Sequence, residues 1–453
     1  MQPIKPLSLR RNFSWTFAGN LVYAASQWGM LVLLAKLGSP EMVGEFTLGL
    51  AVTAPVIMFT NLQLRGIQAT DARGEYSFND YLALRLLGTV LGLLIITEIT
   101  LNSGYPWKLS LVILVIGFSK AIESISDLFY GLIQQHERMD WISISSMMKG
   151  ILSLFMLDLG MILTRSVLGG TLGLAIAWTL VLVCYDIPRG VLLLKMSVKK
   201  QEEELRSSSQ KSKDDLSNLS GPNIFRLLQP HWHGKTLGKL TWLALPLGLV
   251  MMLISLNTNI PRYFIEYSLG VGELGIFGAL SYLMVAGSMV VGALGQSASP
   301  RLAKYYAAGN KSGFEKLIWQ LMGVGFLLGV VGVIVALVGG KPFLTLVYGA
   351  EYAQNLDVFV WLMVATGIGY LSSFLGYTIT AARYFRVQMP LFALVTGISA
   401  VSCLFLIPSQ GLRGASIALV ISALVQLVFS LSITYYAIYK LRRYSVKKES
   451  NTL

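Results

Sequence analysis

Charged residues and cysteines are both scarce in this sequence. Asp, Glu, Lys and Arg make up 13% of its 453 residues, against about 25% in an average soluble protein. With a mean hydropathy of +0.62, this excludes a soluble multidomain enzyme. The two cysteines, Cys184 and Cys403, lie inside apolar runs. We therefore interpret them as packing residues and not as a disulfide or a metal pair.

Short alternating segments, which are typical of a transmembrane β-barrel, are also missing. The chain instead has long apolar runs, and about 20 apolar residues suffice for one membrane-spanning helix. We predict an all-α polytopic membrane protein of about twelve transmembrane helices. The predicted helices, numbered 1 to 12 in this order, cover 12–36, 43–64, 81–101, 108–133, 141–164, 168–194, 240–267, 275–299, 315–339, 355–381, 387–407 and 412–439.

Enzyme and nucleic-acid signatures are absent from the sequence. There is no glycine-rich phosphate loop, no His-Glu-x-x-His and no serine-centred elbow. The pair His231 and His233 is a weak metal signal because no cysteine accompanies it. The net charge of +13 forms no basic stripe with interleaved aromatics, which argues against nucleic acid. We expect a transporter without metal or other cofactor, and not an enzyme.

Most of the 36 Lys and Arg residues fall on one side of the predicted helices. Excess basic residues mark cytosolic loops, so both termini are predicted to be cytosolic. The segment 197–238 is polar and of mixed charge, which is typical of a flexible linker. The predicted domains are a six-helix bundle at 1–196, the linker at 197–238, a second bundle at 239–440 and a basic tail at 441–453.

The two predicted bundles have matching motifs. Gly44 and Phe46 after helix 1 correspond to Gly275 and Phe277 after helix 7. Helices 6 and 12 open with the same pattern, at 170–177 and 411–418. Because each bundle has six helices, both keep one orientation. This predicts a pseudo-twofold axis along the membrane normal, a known transporter design.

Ionisable residues inside the predicted spans are candidate functional groups, since charge at membrane depth is costly. Lys120, Glu123 and Asp127 share one stripe of helix 4. Lys120 can form a structural ion pair with Glu123, three residues further along. The alternative is that these groups line a cavity or an ion site. Lys149 and Asp158 point to opposite sides of helix 5. Lys149 therefore needs a partner on another helix or an anionic ligand.

Predicted helix 7 contains Pro246 and Pro261, which we expect to interrupt it, and broken helices often mark transport sites. Asn257, Asn259 and Arg262 lie beside the second proline. Arg262 and Glu266 are one turn apart and are candidates for an outer gate pair. Helix 1 offers Asn20 and Gln27 on one face. Ordinary interhelical hydrogen bonds are the alternative for the amides.

Three segments carry a family resemblance. They are Asn61–Arg65, Asn257–Tyr263 with its Pro261-Arg262, and Gln296–Tyr305 with Pro300-Arg301-Leu302-Ala303. Over essentially the whole chain, the sequence resembles the polysaccharide transporter (Wzx-type) branch of the multidrug/oligosaccharidyl-lipid/polysaccharide flippase superfamily. The resemblance implies a V-shaped pair of bundles with alternating access. It also implies translocation of polyprenyl-pyrophosphate-linked oligosaccharides across the bacterial plasma membrane.

With this resemblance, the substrate-binding candidates are Asn20, Gln27, Lys120, Lys149, Asn257, Asn259 and Arg262. The gate or ion-coupling candidates are Arg65, Asp71, Glu123, Asp127, Asp158, Glu266 and Arg301. Relatives often place an acid where this chain has Asn257 or Asn259. A coupling proton or sodium ion would then use Glu123, Asp127 or Asp158.

The expected partners are the lipid-linked oligosaccharide, membrane lipids and polysaccharide polymerase machinery, and not nucleic acid. The sequence leaves open the sugar unit, the driving force and the oligomeric state. Two other functions compete with a flippase. A cation-coupled multidrug extruder would depend on one buried acid and need little cationic lining. A non-transporting scaffold of a polysaccharide assembly complex would tolerate neutralisation of the buried charges.

Overall fold

The computed structural model describes residues 7–71, 74–208, 227–384 and 387–450, and every regular element in these ranges is a helix. The first eight helices are α1 Leu9–Leu37, α2 Pro40–Thr60, α3 Leu64–Thr70, α4 Phe78–Asn102, α5 Trp107–Gln135, α6 Met139–Thr164, α7 Val167–Val181 and α8 Ile187–Ser208, with a π-helical turn at Leu182–Asp186 before α8. The others are α9 Gly234–Leu269, α10 Val271–Tyr282, α11 Met284–Ala307, α12 Lys311–Val347, α13 Ala350–Ala353, α14 Leu356–Ala381 and α15 Gln388–Ser450.

The predicted class, an all-α polytopic membrane protein, is confirmed. Among the described residues, ten helices are long and apolar enough to cross a membrane, and the bent pair α10 and α11 adds one more when it is counted as one span. The helix α15 joins the last two predicted helices across Gly411, whose φ of 60° is not helical. Glycine tolerates positive φ because it has no β-carbon. With α15 counted as two spans, the total agrees with the twelve predicted from the sequence.

Helix α9 differs from its prediction. It runs without interruption from Gly234 to Leu269, through both Pro246 and Pro261, so the predicted break is wrong. A proline removes one backbone donor, and transmembrane helices tolerate this where neighbouring groups satisfy the freed carbonyl. Helix α8 also extends to Ser208, into the predicted linker. Positions 209–226 of that linker lie outside the described residues.

The chain forms two compact units. Unit 1 contains Met1–Met30 and Val52–Met251, and unit 2 contains Leu31–Ala51 and Met252–Leu453. In unit 1, α6 and α7 approach so closely that a β-carbon on Gly173 would overlap the carbonyl oxygen of Met156. In unit 2, Gly414 lies in the same way against the carbonyl oxygen of Leu406. The matching glycines of the predicted repeat therefore have the same packing role. The domain bounds at 196 and 239 stay a prediction.

A buried cluster organises unit 2 around Leu302, Phe314 and Phe374, which are almost completely shielded from solvent. These residues come from α11, α12 and α14. Transmembrane helices associate through close van der Waals packing of this kind. Two of these helices, α11 and α14, also line the cavity described below.

Candidate functional site

A polar stripe runs along α5 in unit 1. Lys120, Glu123, Asp127, Tyr130 and Gln134 follow one another at steps of three or four residues, which places them on one face of the helix. Lys120 Nζ lies 2.9 Å from Glu123 Oε2, so the predicted ion pair is confirmed. The Tyr23 hydroxyl of α1 donates to Glu123 Oε1 at 3.0 Å.

Asp127 lies between two arginines. Its Oδ1 is 3.2 Å from Arg65 Nη1, and its Oδ2 is 3.3 Å from Arg85 Nη2. Arg65 Nε also donates to Gln134 Oε1 at 3.1 Å, and Arg85 donates to the amide oxygen of Asn61. One carboxylate therefore holds α3 and α4 against α5.

Arg85 was not among the candidates from the sequence. In the structure its side chain is 0% exposed. The signal was present, because Arg85 stands within the apolar run Tyr81–Leu87. A cation in such a run needs an acid partner.

Lys149 has a protein partner. Its Nζ lies 3.2 Å from Asp186 Oδ2 and donates to the Tyr130 hydroxyl at 3.0 Å. The Ser145 hydroxyl donates to the other oxygen of Asp186 at 2.5 Å. Of the two alternatives for Lys149, a partner on another element is therefore the one found. Its role as a substrate contact stays a prediction.

Tyr130 and Trp178, also missed by the sequence analysis, connect these groups. Arg65 lies 5.4 Å and Lys149 4.9 Å from the centroid of the Tyr130 ring. Lys120 lies 4.9 Å from the Trp178 ring, a cation–π distance. A continuous network thus joins α3, α4, α5, α6 and α7 in unit 1.

The network is close to electrically balanced. Arg65 and Lys120 are 31% and 23% exposed, and the acids Glu123 and Asp127 are 31% and 28% exposed. Lys149 and Asp186 are shielded almost completely. Its accessible part therefore offers two cations and two carboxylates, which suits groups of either charge and selects weakly for an anion.

Arg262 on α9 differs from these cations. It donates from Nη1 to Asn259 Oδ1 at 2.9 Å and from Nη2 to Ser281 Oγ at 3.5 Å. Its Nε is buried and has no hydrogen-bond partner among the described residues. Within the described part of the chain, no ion pair joins Arg262 to Glu266 or another acid. The expected gate pair is therefore not formed, and the positive charge of Arg262 is not compensated.

Three other candidates have buried polar atoms without a partner in the described structure. They are Gln27 Nε2, Asp158 Oδ1 and Asn257 Oδ1. Such atoms are uncommon in proteins and call for a specific explanation. Asp158 keeps its place as an ion-coupling candidate on this ground.

The remaining candidates lie apart from the network. Asn20 and Arg301 are exposed. Asp71 follows α3 and accepts hydrogen bonds from the backbone of Glu75 at 3.1 Å and Tyr76 at 3.2 Å. Asp71 therefore holds a turn and is not part of the network. His231 lies 3.5 Å from Asp80, at the start of α4.

Comparison with known proteins is consistent with this geometry. No protein family model matches the chain. It is 27% identical over 432 residues to the capsular polysaccharide biosynthesis protein CapF of Staphylococcus aureus, covering 95% of this chain and 99% of CapF. The structure superposes on the lipid II flippase MurJ in an inward closed conformation with a TM-score of 0.68 and 10% identity, over 95% of this chain and 92% of MurJ.

An inward-facing multidrug resistance MATE family transporter of the MOP superfamily superposes with a TM-score of 0.61 and 10% identity, over 96% of each chain. This chain shares its fold with these two transporters. The resemblance to the polysaccharide transporter branch of the superfamily is confirmed. The network of unit 1 and Arg262 of unit 2 therefore belong to a multi-pass membrane protein with this fold.

Proposed function

We propose that this protein translocates polyprenyl-pyrophosphate-linked oligosaccharide repeat units from the cytosolic to the outer leaflet of a bacterial plasma membrane. The units would then serve surface polysaccharide biosynthesis. Transport would proceed by alternating access, with both termini in the cytosol. The capsular polysaccharide relative and the MOP fold support this proposal over enzymatic activity.

The observation that carries the proposal is the uncompensated charge of Arg262. A pyrophosphate is a concentrated anion, and the guanidinium presents five donors in a planar fork that matches phosphate oxygens. Arg262 keeps its Nε free of protein partners. Lys120 and Arg65 of the unit 1 network are already paired with carboxylates, so the proposal depends on Arg262.

The driving force is a separate proposal. We infer that a coupling proton or sodium ion, if one is used, acts at Asp158, because its Oδ1 is buried without a partner. Glu123 and Asp127 are already bound to cations at 2.9 Å and 3.2 Å. Protonating either acid would break a salt bridge, whereas protonation of Asp158 breaks none that the described residues show.

The test is deletion of the gene, followed by extraction of polyprenyl-linked sugars and a measurement of their leaflet. A complete, cytosol-facing lipid-linked unit should accumulate, and the wild-type gene should reverse this. Sensitivity to cationic drugs without such accumulation would support a multidrug extruder instead. An outward-facing, unpolymerised unit would indicate a later assembly step, as expected for a scaffold.

A further inference from the structure

A polar cavity lies wholly within unit 2. It has a volume of about 460 Å³ and is formed by residues of α9, α11, α14 and α15. Small-molecule sites usually have volumes of roughly 300–1,000 Å³. Its polar lining includes Asn257, Ser373, Tyr377, Thr380 and Gln388. No charged residue lines it within the described ranges.

Three hydroxyl groups of this lining are arranged as hydrogen-bond acceptors. Thr258 donates its hydrogen to the carbonyl of Ile254 at 3.2 Å, and Ser373 donates to Gly369 at 2.9 Å. Thr380 donates to Gly376 at 2.9 Å. A hydroxyl has one hydrogen and two lone pairs. Each of these groups therefore presents an oxygen to the cavity after its hydrogen has been used within its own helix.

Two amide side chains also line the cavity, and one of them leaves an acceptor unsatisfied. Gln388 Nε2 donates to Thr380 Oγ1 at 2.9 Å. Asn257 Oδ1 is buried and has no donor in the described structure. Because a buried acceptor without a donor is destabilising, the cavity favours a ligand that brings hydrogen-bond donors to these oxygens.

The required ligand chemistry follows from these acceptors. A phosphate or carboxylate offers only acceptor oxygens at neutral pH, and no described residue of the cavity neutralises its charge. A sugar ring offers several hydroxyl donors without charge. The rings of Tyr377 and Phe392 add apolar surface to the same wall.

We propose that this cavity binds uncharged sugar residues. The inference rests on the proposed function in one respect, since it assigns the cavity to the sugar part of the lipid-linked unit and leaves the pyrophosphate to Arg262. It deepens that function by naming the substrate class as one with a neutral hexose or N-acetylhexosamine at this position.

The test uses the full-length protein in lipid nanodiscs and saturation-transfer NMR. The probes are the methyl glycosides of glucose, galactose and N-acetylglucosamine, with glucose 6-phosphate as the charged comparison. The cavity variant Thr258→Val/Ser373→Ala removes two exposed acceptors. The matched control is Thr345→Val/Ser409→Ala, because these exposed hydroxyls make the same bonds to Lys341 and Phe405 outside the cavity.

At least one neutral glycoside should show saturation transfer. Its binding should weaken about tenfold in the cavity variant, since each lost hydrogen bond weakens binding several-fold. The control variant should bind like the wild type, and both should keep the wild-type melting temperature. The inference is overturned if no neutral glycoside binds, if the two variants lose binding equally, or if glucose 6-phosphate binds with the same dependence on the cavity.

This outcome is separable from that of the proposed function. Glycoside binding at the cavity without accumulation of a lipid-linked unit in the deletion strain would retain the sugar site and reject the flippase. Accumulation without glycoside binding would retain the flippase and reject the sugar site.

Discussion

Gly44 of α2 and Gly275 of α10 lie against each other so closely that neither position has room for a β-carbon. A β-carbon on Gly44 would overlap the carbonyl oxygen of Val271, and one on Gly275 would overlap that of Pro40. The same 231 positions separate Gly44 from Gly275 and Pro40 from Val271. Equivalent residues of the two repeats therefore form a reciprocal contact within unit 2.

This contact predicts that Gly44→Ala and Gly275→Ala each destabilise the protein by about 1–3 kcal/mol, the usual cost of overpacking. The thermal unfolding midpoint in detergent measures the effect. Gly323→Ala is the matched control, since a β-carbon at this helical position meets nothing within 4 Å. It should be neutral or slightly stabilising because alanine favours the helix. Equal effects at all three positions would contradict the close contact.

Asp127 gives a second prediction, which separates a structural ion network from a cavity lining. Asp127→Asn leaves Arg65 and the fully buried Arg85 without their carboxylate. A buried ion left unpaired costs about 3–5 kcal/mol, so the unfolding midpoint and the amount of folded protein should fall.

Glu123→Gln is the control for Asp127→Asn. Glu123 and Lys120 are both partly exposed, and exposed pairs contribute about 0–1 kcal/mol. If Asp127→Asn proves as mild as Glu123→Gln, then Arg85 does not depend on Asp127 for its charge balance.

The pair Lys149 and Asp186 predicts strong coupling. Lys149→Met alone leaves Asp186 buried without a cation, and Asp186→Leu alone leaves Lys149 buried without a carboxylate. Each should destabilise the protein by about 3–5 kcal/mol, whereas the double variant should be closer to wild type. A double-mutant cycle on the unfolding midpoints measures the coupling. Additive losses would show that the two side chains act independently.

The sequence predicted the long helices because apolar runs of membrane-spanning length have few alternatives. It also predicted the Lys120–Glu123 pair, which depends only on helical spacing. It could not predict that Asp127 binds Arg85 or that Lys149 binds Asp186, since these contacts depend on how separate helices pack. The prediction of a break at the prolines of α9 was wrong because the packing of neighbouring helices decides whether a proline interrupts a span.

The acceptor-lined cavity could not be predicted from the sequence either, although Asn257 was among the candidate substrate-binding residues. Its lining comes from four helices that are distant in the chain. Serine and threonine are common in transmembrane helices, where they bond to their own backbone or to other helices. Only the arrangement in space distinguishes a cavity lining from such bonds.

Asp71 lies outside the membrane spans, and we expect the stability of the turn that it holds to depend on pH. Burial raises the pKa of its carboxyl, but hydrogen bonds from Glu75, Tyr76, Tyr81 and Gly74 outweigh this and hold the pKa below its usual value. The resulting stability is present above the unfolded pKa of about 3.9 and is lost as pH falls through the lower folded pKa.

Hydrogen-exchange protection of the Glu75 and Tyr76 amides, corrected for intrinsic rates, measures this turn. Protection should be constant near neutral pH and should fall below about pH 4. Asp71→Asn should weaken the protection at neutral pH and remove its dependence on pH. A pH dependence that persists in Asp71→Asn would assign the titration to another group.

Arg262 gives the prediction that most directly concerns transport. Its partners Asn259 and Ser281 are neutral, so removing the guanidinium leaves no buried carboxylate unpaired. Arg262→Leu should therefore keep the protein folded and lower export of the lipid-linked unit by about tenfold or more, since hydrogen bonds to charged groups contribute about 1.5–3 kcal/mol.

The comparison variants for Arg262 are Arg262→Lys and Arg413→Leu. The lysine keeps the charge but loses the planar fork, so it should restore only part of the export. Arg413 is exposed, and its replacement should have little effect. Export is measured in the deletion strain, with the protein level followed in parallel. Full export by Arg262→Leu would contradict anion recognition by Arg262. The cations of the unit 1 network could not account for recognition in its place, because each already has a carboxylate within 3.3 Å.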